Sequence, residues 1–211
     1  SENTGWTDWG AGGVWKTVDG GDDWFPLSDR WDELYTSSVA VHPEDPRTVY
    51  VGTGDFNGYR GCGIGIMKTT DGGATWTKQF FSRKYVSDIV IDPEYPELVT
   101  ASTGRAGNPR YVYQSPDGGV TWDASLDLHA NWHDLAIGEP FLDPGGAQRM
   151  YYAVGTKDGN AQVWRSDDRG QSWEPRFLPF GDPNSIANDI VSHDSISVTT
   201  SSRDPWTVFV Y

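Results

Sequence analysis

Residues 69–76 read TTDGGATW, and this pattern of Ser or Thr, any residue, Asp, any residue, Gly, two further residues and Trp occurs four times. The other copies are TVDGGDDW at 17–24, SPDGGVTW at 115–122 and SDDRGQSW at 166–173. We call these four segments the aspartate turns. Their aspartates recur at intervals of 52, 46 and 51 residues.

Each aspartate turn predicts a tight chain reversal that is held by its own side chains. An Asp side chain accepts hydrogen bonds from backbone N–H groups of its turn, Gly adopts a positive φ, and Trp packs back over the hairpin. We therefore expect the Asp and Trp residues of the motif to be structural rather than catalytic. They are Asp19, Asp71, Asp117 and Asp168, with Trp24, Trp76, Trp122 and Trp173.

Short apolar stretches surround each turn. IGIM at 64–67 precedes one of them, and further upstream VAVHP at 39–43 and VYV at 49–51 form a second pair of expected strands. A fixed period with flanking strands is typical of a propeller blade, a small antiparallel sheet that needs neighbours to bury its faces. The sequence predicts one all-β domain over 1–211, a β-propeller of four-stranded blades. The repeats are expected near 1–34, 35–84, 85–127 and 128–180, with a half-blade at 181–211.

The two ends of the chain complement each other. Residues 13–27 form an outer hairpin without an inner strand pair before it, and residues 196–210 form an inner pair without an aspartate turn after it. Joining these halves would remove exposed strand edges. The pattern is compatible with a four-bladed ring, a larger ring of two chains, a strand-exchanged polymer, or a module of a longer protein.

Composition excludes several classes of partner. The formal net charge of -14 repels nucleic acid phosphates and anionic lipid heads, so neither nucleic acid nor membrane is expected as a partner. No apolar run approaches the roughly 18 residues of a membrane span. The single cysteine, Cys62, excludes an internal disulfide.

GIGIMKTTDGG at 63–73 and VYVGTG at 49–54 resemble the repeats of the Asp-box (BNR) propeller proteins. That group includes xyloglucanase-like glycoside hydrolases, sialidases and sortilin-like domains. The resemblance implies a secreted, extracellular protein with a carbohydrate or protein partner. TDWGAGG at 7–13 is similar to the stretch that carries a catalytic aspartate in the xyloglucanase-like group, although two extra residues intervene here, and this similarity implicates Asp8.

Glycoside hydrolysis needs two carboxylates about 5 to 9.5 Å apart across the scissile bond. Acidic residues that we expect on connecting loops are the candidates. They are Asp8, Asp55, Asp134 and Glu139.

A second set of candidates is suited to binding a sugar. LHANWHDLAIGEP at 128–140 is expected to be a loop that replaces a shorter link of the other blades, and its aromatic and polar side chains can stack on and hydrogen-bond a sugar. The binding candidates are Asn131, Trp132, His133, Tyr59 and Arg105. No spacing typical of a metal site occurs, so no cofactor is expected, and Ca²⁺ is favoured only by the surplus of acidic residues.

The sequence thus favours a secreted, non-catalytic propeller module for binding or structural assembly, with a glycan, another protein or further copies of itself as partner. The alternative is a glycoside hydrolase, xyloglucanase-like or sialidase-like, that uses paired carboxylates.

Overall fold

The computed structural model of the chain describes residues 12–32, 34–54, 63–79, 85–104, 110–128, 130–143, 146–157, 160–176, 198–201 and 207–210. Every regular element in these ranges is a β-strand, and no helix occurs within them. The prediction of an all-β chain with four-stranded antiparallel sheets is confirmed.

Sheet 1 is the first of three four-stranded sheets. Its strands, in spatial and chain order, are β3 (Thr36–Val41), β4 (Val49–Thr53), β5 (Ile66–Thr69) and β6 (Thr77–Lys78). Before it, β1 (Trp15–Lys16) and β2 (Phe25–Pro26) form a two-stranded unit that we call half-sheet N.

Sheet 2 repeats the same meander. It contains β7 (Tyr85–Ile91), β8 (Val99–Gly104), β9 (Tyr111–Ser115) and β10 (Asp123–Asp127).

Sheet 3 has the longest strands. They are β11 (Asn131–Asp143), β12 (Gly146–Lys157), β13 (Asn160–Ser166) and β14 (Glu174–Arg176). After it, β15 (Val198–Thr200) and β16 (Val208–Val210) form a second two-stranded unit, half-sheet C.

The expectation of a loop at 128–140 is wrong, because residues 131–143 form strand β11. This strand pairs with β12 from Asn131 opposite Thr156 to Asp143 opposite Gly146. Two irregularities, after Trp132 and after Ile137, bend the strand without ending it. The stretch is therefore the first strand of sheet 3, in the position that β3 and β7 occupy in their own sheets.

Consecutive sheets pack through their first strands. β7 contacts β3 and β4, β11 contacts β7 and β8, and β15 contacts β11 and β12. The hydrophobic core lies between the sheets: Tyr50 and Ile66 of sheet 1 cluster with Val86 and Trp122 of sheet 2. Consecutive blades of a propeller pack in this way, although the described residues do not show a closed ring.

The aspartate turns share one hydrogen-bond pattern. In the turn at 115–122 the Ser115 hydroxyl donates to Asp117 Oδ1 at 2.8 Å and accepts from the Gly119 N–H at 2.7 Å. Asp117 also accepts from the Thr121 N–H at 2.7 Å and from the Thr121 hydroxyl at 2.6 Å. The Thr121 side chain first, and the Thr121 amide next, lower the pKa of Asp117.

The fourth residue of a turn adopts a left-handed conformation. Gly20, Gly72 and Gly118 have φ of 81°, 74° and 67°, and the equivalent Arg169 has φ of 58°. A non-glycine residue is strained there by roughly 1–2 kcal/mol. Arg169 is held by contacts with sheet 2, since its guanidinium lies 3.2 Å from Glu94 and 3.6 Å from the buried Asp92.

A further hydrogen bond joins each of the last three turns to the preceding sheet or half-sheet. The side chain of the last residue before one aspartate turn donates to the carbonyl of the fourth residue of the next turn. We call this bond the turn latch. It connects Lys16 Nζ to Gly72 O at 3.0 Å, Lys68 Nζ to Gly118 O at 2.7 Å, and Gln114 Nε2 to Arg169 O at 2.7 Å.

We predict that Asp168→Ala lowers the free energy of unfolding by about 1 kcal/mol, because the Ser166 hydroxyl and the Ser172 N–H lose their acceptor. Urea titration measures this change. The matched control is Asp167→Ala in the same turn, whose exposed side chain is expected to matter by less than about 0.5 kcal/mol. Equal denaturation midpoints for the two variants would contradict a structural role of the motif aspartate.

Candidate functional site

Of the four acidic candidates, the structure describes Asp134 and Glu139. Asp8 and Asp55 lie outside the described residues. Asp134 and Glu139 lie on the same strand, β11, and at the usual rise of an extended strand their backbones are about 16 Å apart. The two do not form a carboxylate pair of the kind that glycoside hydrolysis requires.

The binding candidates on β11 are occupied by internal contacts. Trp132 has no solvent exposure, so it cannot stack on a sugar at the surface. Asn131 Oδ1 accepts a hydrogen bond from Arg110 at 2.7 Å, and His133 Nε2 lies 3.1 Å from the Thr156 hydroxyl. Tyr59 and Arg105, the other two binding candidates, lie outside the described residues.

Asp134 is instead half of a carboxyl pair that bridges sheets. Asp88, which follows the irregularity in β7, accepts from the Leu135 N–H of β11 at 3.0 Å. Asp134, which follows the equivalent irregularity in β11, accepts from the Val198 N–H of β15 at 2.9 Å. Each carboxyl thus connects the first strand of its own sheet to the first strand of the next.

The two carboxyls also interact with each other. Burial first, then the hydrogen bond with the Asp134 carboxyl and its charge, raise the pKa of Asp88 to about 7. A proton shared between two close carboxyls removes the repulsion of two buried negative charges. The contacts with backbone amides indicate a structural role for the pair, and sequence reasoning missed Asp88 because it lies outside the repeated turns.

The best candidate for a ligand site is a cleft of about 800 Å³ between half-sheet N and sheet 1. The half-buried Trp31 and Trp76 form its aromatic part, with ring centroids 5.0 Å apart in an edge-to-face arrangement. Trp76 is the last residue of an aspartate turn. Its indole N–H is shielded from solvent and has no hydrogen-bond partner among the described residues.

A short turn places Trp31 in this cleft. Ser28 is buried, and its hydroxyl accepts from the Val14 N–H at 2.8 Å while its carbonyl accepts from the Trp31 N–H at 2.9 Å. Leu27, Ile64 and Met67 pack around the two tryptophans. The indole of Trp31 therefore has a fixed support, which a binding platform needs.

Charged side chains of both signs line the cleft beside the tryptophans. They are Asp29, Arg30, Asp32 and Lys78, all exposed. An aromatic surface with surrounding hydrogen-bond donors and acceptors can hold a sugar, whose C–H face packs on an indole while its hydroxyls hydrogen-bond. Sequence reasoning missed Trp31, although SDRWD at 28–32 concentrates an aromatic residue and three charges in one turn.

Within the described ranges, no group of three or more His, Cys, Asp or Glu side chains could hold a metal ion. Over the same ranges, no helix is long and apolar enough to span a membrane.

Known proteins with similar sequences include xyloglucanases. The chain is 27% identical over 195 residues to the xyloglucanase Xgh74A of Acetivibrio thermocellus, a match that covers 77% of this chain and 23% of the enzyme. It is 33% identical over 168 residues to the photosystem II assembly lipoprotein Ycf48 of a Synechococcus strain, covering 74% of this chain and 44% of that protein. The chain thus spans less than half the length of either relative, and no family model matches it.

The solved structure of a GH74 xyloglucanase from Xanthomonas campestris is 17% identical, and the match covers 83% of this chain and 35% of that one, with a TM-score of 0.27. A score of this size does not establish a common fold.

We predict that Asp88→Asn removes a loss of stability at alkaline pH. The folded pKa of Asp88, about 7, lies above its ordinary value of 3.8, so the contribution of the protonated carboxyl is complete below pH 3.8 and is lost as the pH rises through 7. The wild type should lose at least about 1 kcal/mol of unfolding free energy between pH 5 and 8.5 through this group. An Asn amide donates to Asp134 at every pH, so the variant should lose less.

Urea titrations at pH 5, 7 and 8.5 measure the difference. Asp45→Asn is the control, because the pKa of Asp45 is lowered, chiefly by the Arg47 backbone amide, and this carboxylate stays ionised over the whole range. If Asp88→Asn and Asp45→Asn gave the same pH dependence as the wild type, the shared proton would be refuted.

Proposed function

We propose that this chain is a glycan-binding β-propeller segment of a xyloglucan-directed glycoside hydrolase. The observation that carries the proposal is the Trp31–Trp76 cleft with its charged rim. The similarity to a xyloglucanase supports a polysaccharide as the ligand. These relatives favour the hydrolase alternative of the sequence analysis over a module unrelated to catalysis.

The cleft suits a neutral polysaccharide better than a charged ligand. Asp29 and Asp32 counter Arg30 and Lys78, so the rim carries two charges of each sign. Such a rim offers hydrogen bonds to hydroxyl groups without a strong net field, while the indoles supply apolar contact area. An anionic glycan would also meet the repulsion of a chain with net charge -14.

A polymeric ligand also supports secretion of the protein, since a polysaccharide such as xyloglucan does not cross a membrane. We place the three sheets and the two half-sheets as blades of a propeller because consecutive sheets pack through their first strands. In this arrangement the cleft lies between two successive blades, at the level of the outer strands.

We predict that Trp31→Ala and Trp76→Ala each weaken xyloglucan binding about fivefold, because an aromatic contact of this kind contributes about 1 kcal/mol. Affinity electrophoresis and calorimetry with soluble xyloglucan measure this loss. Tyr95→Ala is the control, since Tyr95 is a 54% exposed aromatic residue that does not line the cleft. Unchanged binding by both Trp variants, or equal loss in the Tyr95 variant, would refute the site.

Catalysis by the chain on its own is the second candidate, favoured by the xyloglucanase relatives and by the two carboxylates in the cleft, Asp29 and Asp32. We expect the isolated chain to bind xyloglucan without releasing new reducing ends, because it matches 23% of the enzyme. A reducing-sugar assay tests this expectation. If turnover is found, comparison of Asp29→Asn and Asp32→Asn with Asp8→Asn, Asp55→Asn and Glu139→Gln would identify the carboxylates responsible.

A further inference from the structure

The chain contains two methionines, and the structure places them in contrasting surroundings. Met67 lies on β5 and lines the cleft of about 800 Å³ between half-sheet N and sheet 1, with 8% of its surface exposed. Met150 lies on β12 in a core cluster, is 1% exposed and is not among the residues that line this cleft. Small solutes that enter the cleft therefore have much better access to Met67 than to Met150.

Strand geometry places Met67 beside the two tryptophans of the cleft. Successive side chains of a strand point to opposite faces of the sheet. Ile66 packs between sheets 1 and 2, so Met67 lies on the other face, in the cluster between sheet 1 and half-sheet N. Trp31 and Trp76 pack against the same cluster. Met67 is thus part of the apolar support of both indoles.

A methionine at this position occurs in one of the four repeats. The position lies two residues before the Ser or Thr that begins an aspartate turn, and the equivalent residues are Trp15, Tyr113 and Trp164. All three are aromatic, whereas the Met side chain is unbranched, flexible and carries a thioether sulfur. The repeat that contributes Trp76 to the cleft therefore also contributes an oxidisable sulfur to its wall.

The thioether of methionine reacts with peroxides. The sulfur attacks one oxygen of hydrogen peroxide, so that an S–O bond forms as the O–O bond breaks. The other oxygen leaves as hydroxide, which takes the proton from the first oxygen and becomes water. Sulfur loses two electrons to the peroxide, and the product is methionine sulfoxide. Oxidation thereby converts a flexible apolar side chain into a polar one.

A sulfoxide in this cluster disturbs the aromatic platform, because a buried sulfoxide oxygen needs a hydrogen-bond donor. The Trp76 N–H is a donor in the same cluster that is shielded from solvent and has no partner among the described residues. Either Trp76 turns toward the new oxygen or the cluster opens to admit water. In both cases the indoles of Trp31 and Trp76 leave their edge-to-face arrangement with centroids 5.0 Å apart.

We propose that Met67 is a site of reversible oxidation by peroxide, and that its sulfoxide weakens glycan binding in the Trp31–Trp76 cleft. The oxidation itself follows from the exposure and packing of Met67, whereas its effect on a glycan rests on the proposed function. Methionine sulfoxide reductases reverse the reaction. Two thiols give up two electrons and become a disulfide, the sulfoxide oxygen leaves as water, and the thioether is restored.

Peptide mass spectrometry after treatment of the folded chain with hydrogen peroxide tests the site directly. A Cys62→Ser background is used, because a cysteine thiol also reacts with peroxide. We expect the peptide with Met67 to gain one oxygen atom at least about tenfold faster than the peptide with Met150, since susceptibility follows exposure. Equal rates, or faster oxidation of Met150, would overturn the proposal.

Xyloglucan binding before and after the same treatment tests the consequence. We expect the oxidised chain to bind about fivefold more weakly, the loss predicted for removal of either tryptophan, and reductase treatment to restore the affinity. Met67→Leu is the matched variant, because leucine has a similar volume and no sulfur. It should bind as the untreated wild type does and keep its affinity in peroxide. Met150→Leu is the control and should lose affinity in peroxide as the wild type does.

These measurements separate the failure of this proposal from that of the proposed function. An unchanged affinity after complete oxidation of Met67 would overturn the control of binding and leave the glycan site in place. An equal loss of affinity in oxidised Met67→Leu would assign the effect to another residue and would also overturn it. A chain that binds no xyloglucan before treatment would refute the proposed function. The oxidation site is then decided by the peptide rates and by the urea midpoint, which should fall on oxidation of the wild type and stay constant for Met67→Leu.

Discussion

The hydrogen bond between the Ser or Thr hydroxyl and the Asp of each aspartate turn is the constraint on which the rest of the structure depends. It fixes the first residue of the turn against the third, and the same hydroxyl accepts the N–H of the fifth. With the turn closed in this way, the carbonyl of the fourth residue faces outward, where a side chain of the preceding sheet reaches it. One bond of this kind contributes only about 1 kcal/mol, but it recurs in all four turns, and in three of them a side chain of the preceding sheet or half-sheet reaches the carbonyl.

Local patterns were predictable from the sequence because the physics that produces them is local. The turns consist of eight consecutive residues whose hydrogen-bond partners are each other, so TTDGGATW predicts its own conformation. Strand β11 was not predictable in this way, since NWHDLAIGEPFLD at 131–143 forms a strand by pairing with residues 146–157. Asp88 and Asp134 depend on irregularities of β7 and β11, and their amide partners are 47 and 64 residues away. No spacing rule in the sequence indicates such distant contacts.

The candidate cleft combines a residue of the repeated motif with a residue outside it. Trp76 belongs to the motif, and sequence reasoning therefore assigned it a purely structural role. Its partner Trp31 lies outside the motif, on a turn anchored by the buried Ser28. Only the packing of half-sheet N on sheet 1 brings the two indoles together, through a cluster that includes Val14, Val51 and Met67. A residue of the structural repeat and a residue of an irregular link together form the surface that suits a ligand, as is common where loops lie on a rigid scaffold.

Because the four turns have similar backbones, the turn latch alone does not determine which sheet each turn packs against. The chain achieves this selectivity with differences at the same few positions. Arg169 replaces glycine in the fourth turn and contacts Asp92 and Glu94 of sheet 2, so that turn fits a sheet with an acidic link after its first strand. Tyr50 adds a second donor to the Gly118 carbonyl, and burial, followed by Glu97 and Asp117, raises the pKa of Tyr50 to about 12, so its hydroxyl keeps the proton. In both cases the backbone supplies a common contact, and the side chains around it decide which two surfaces join.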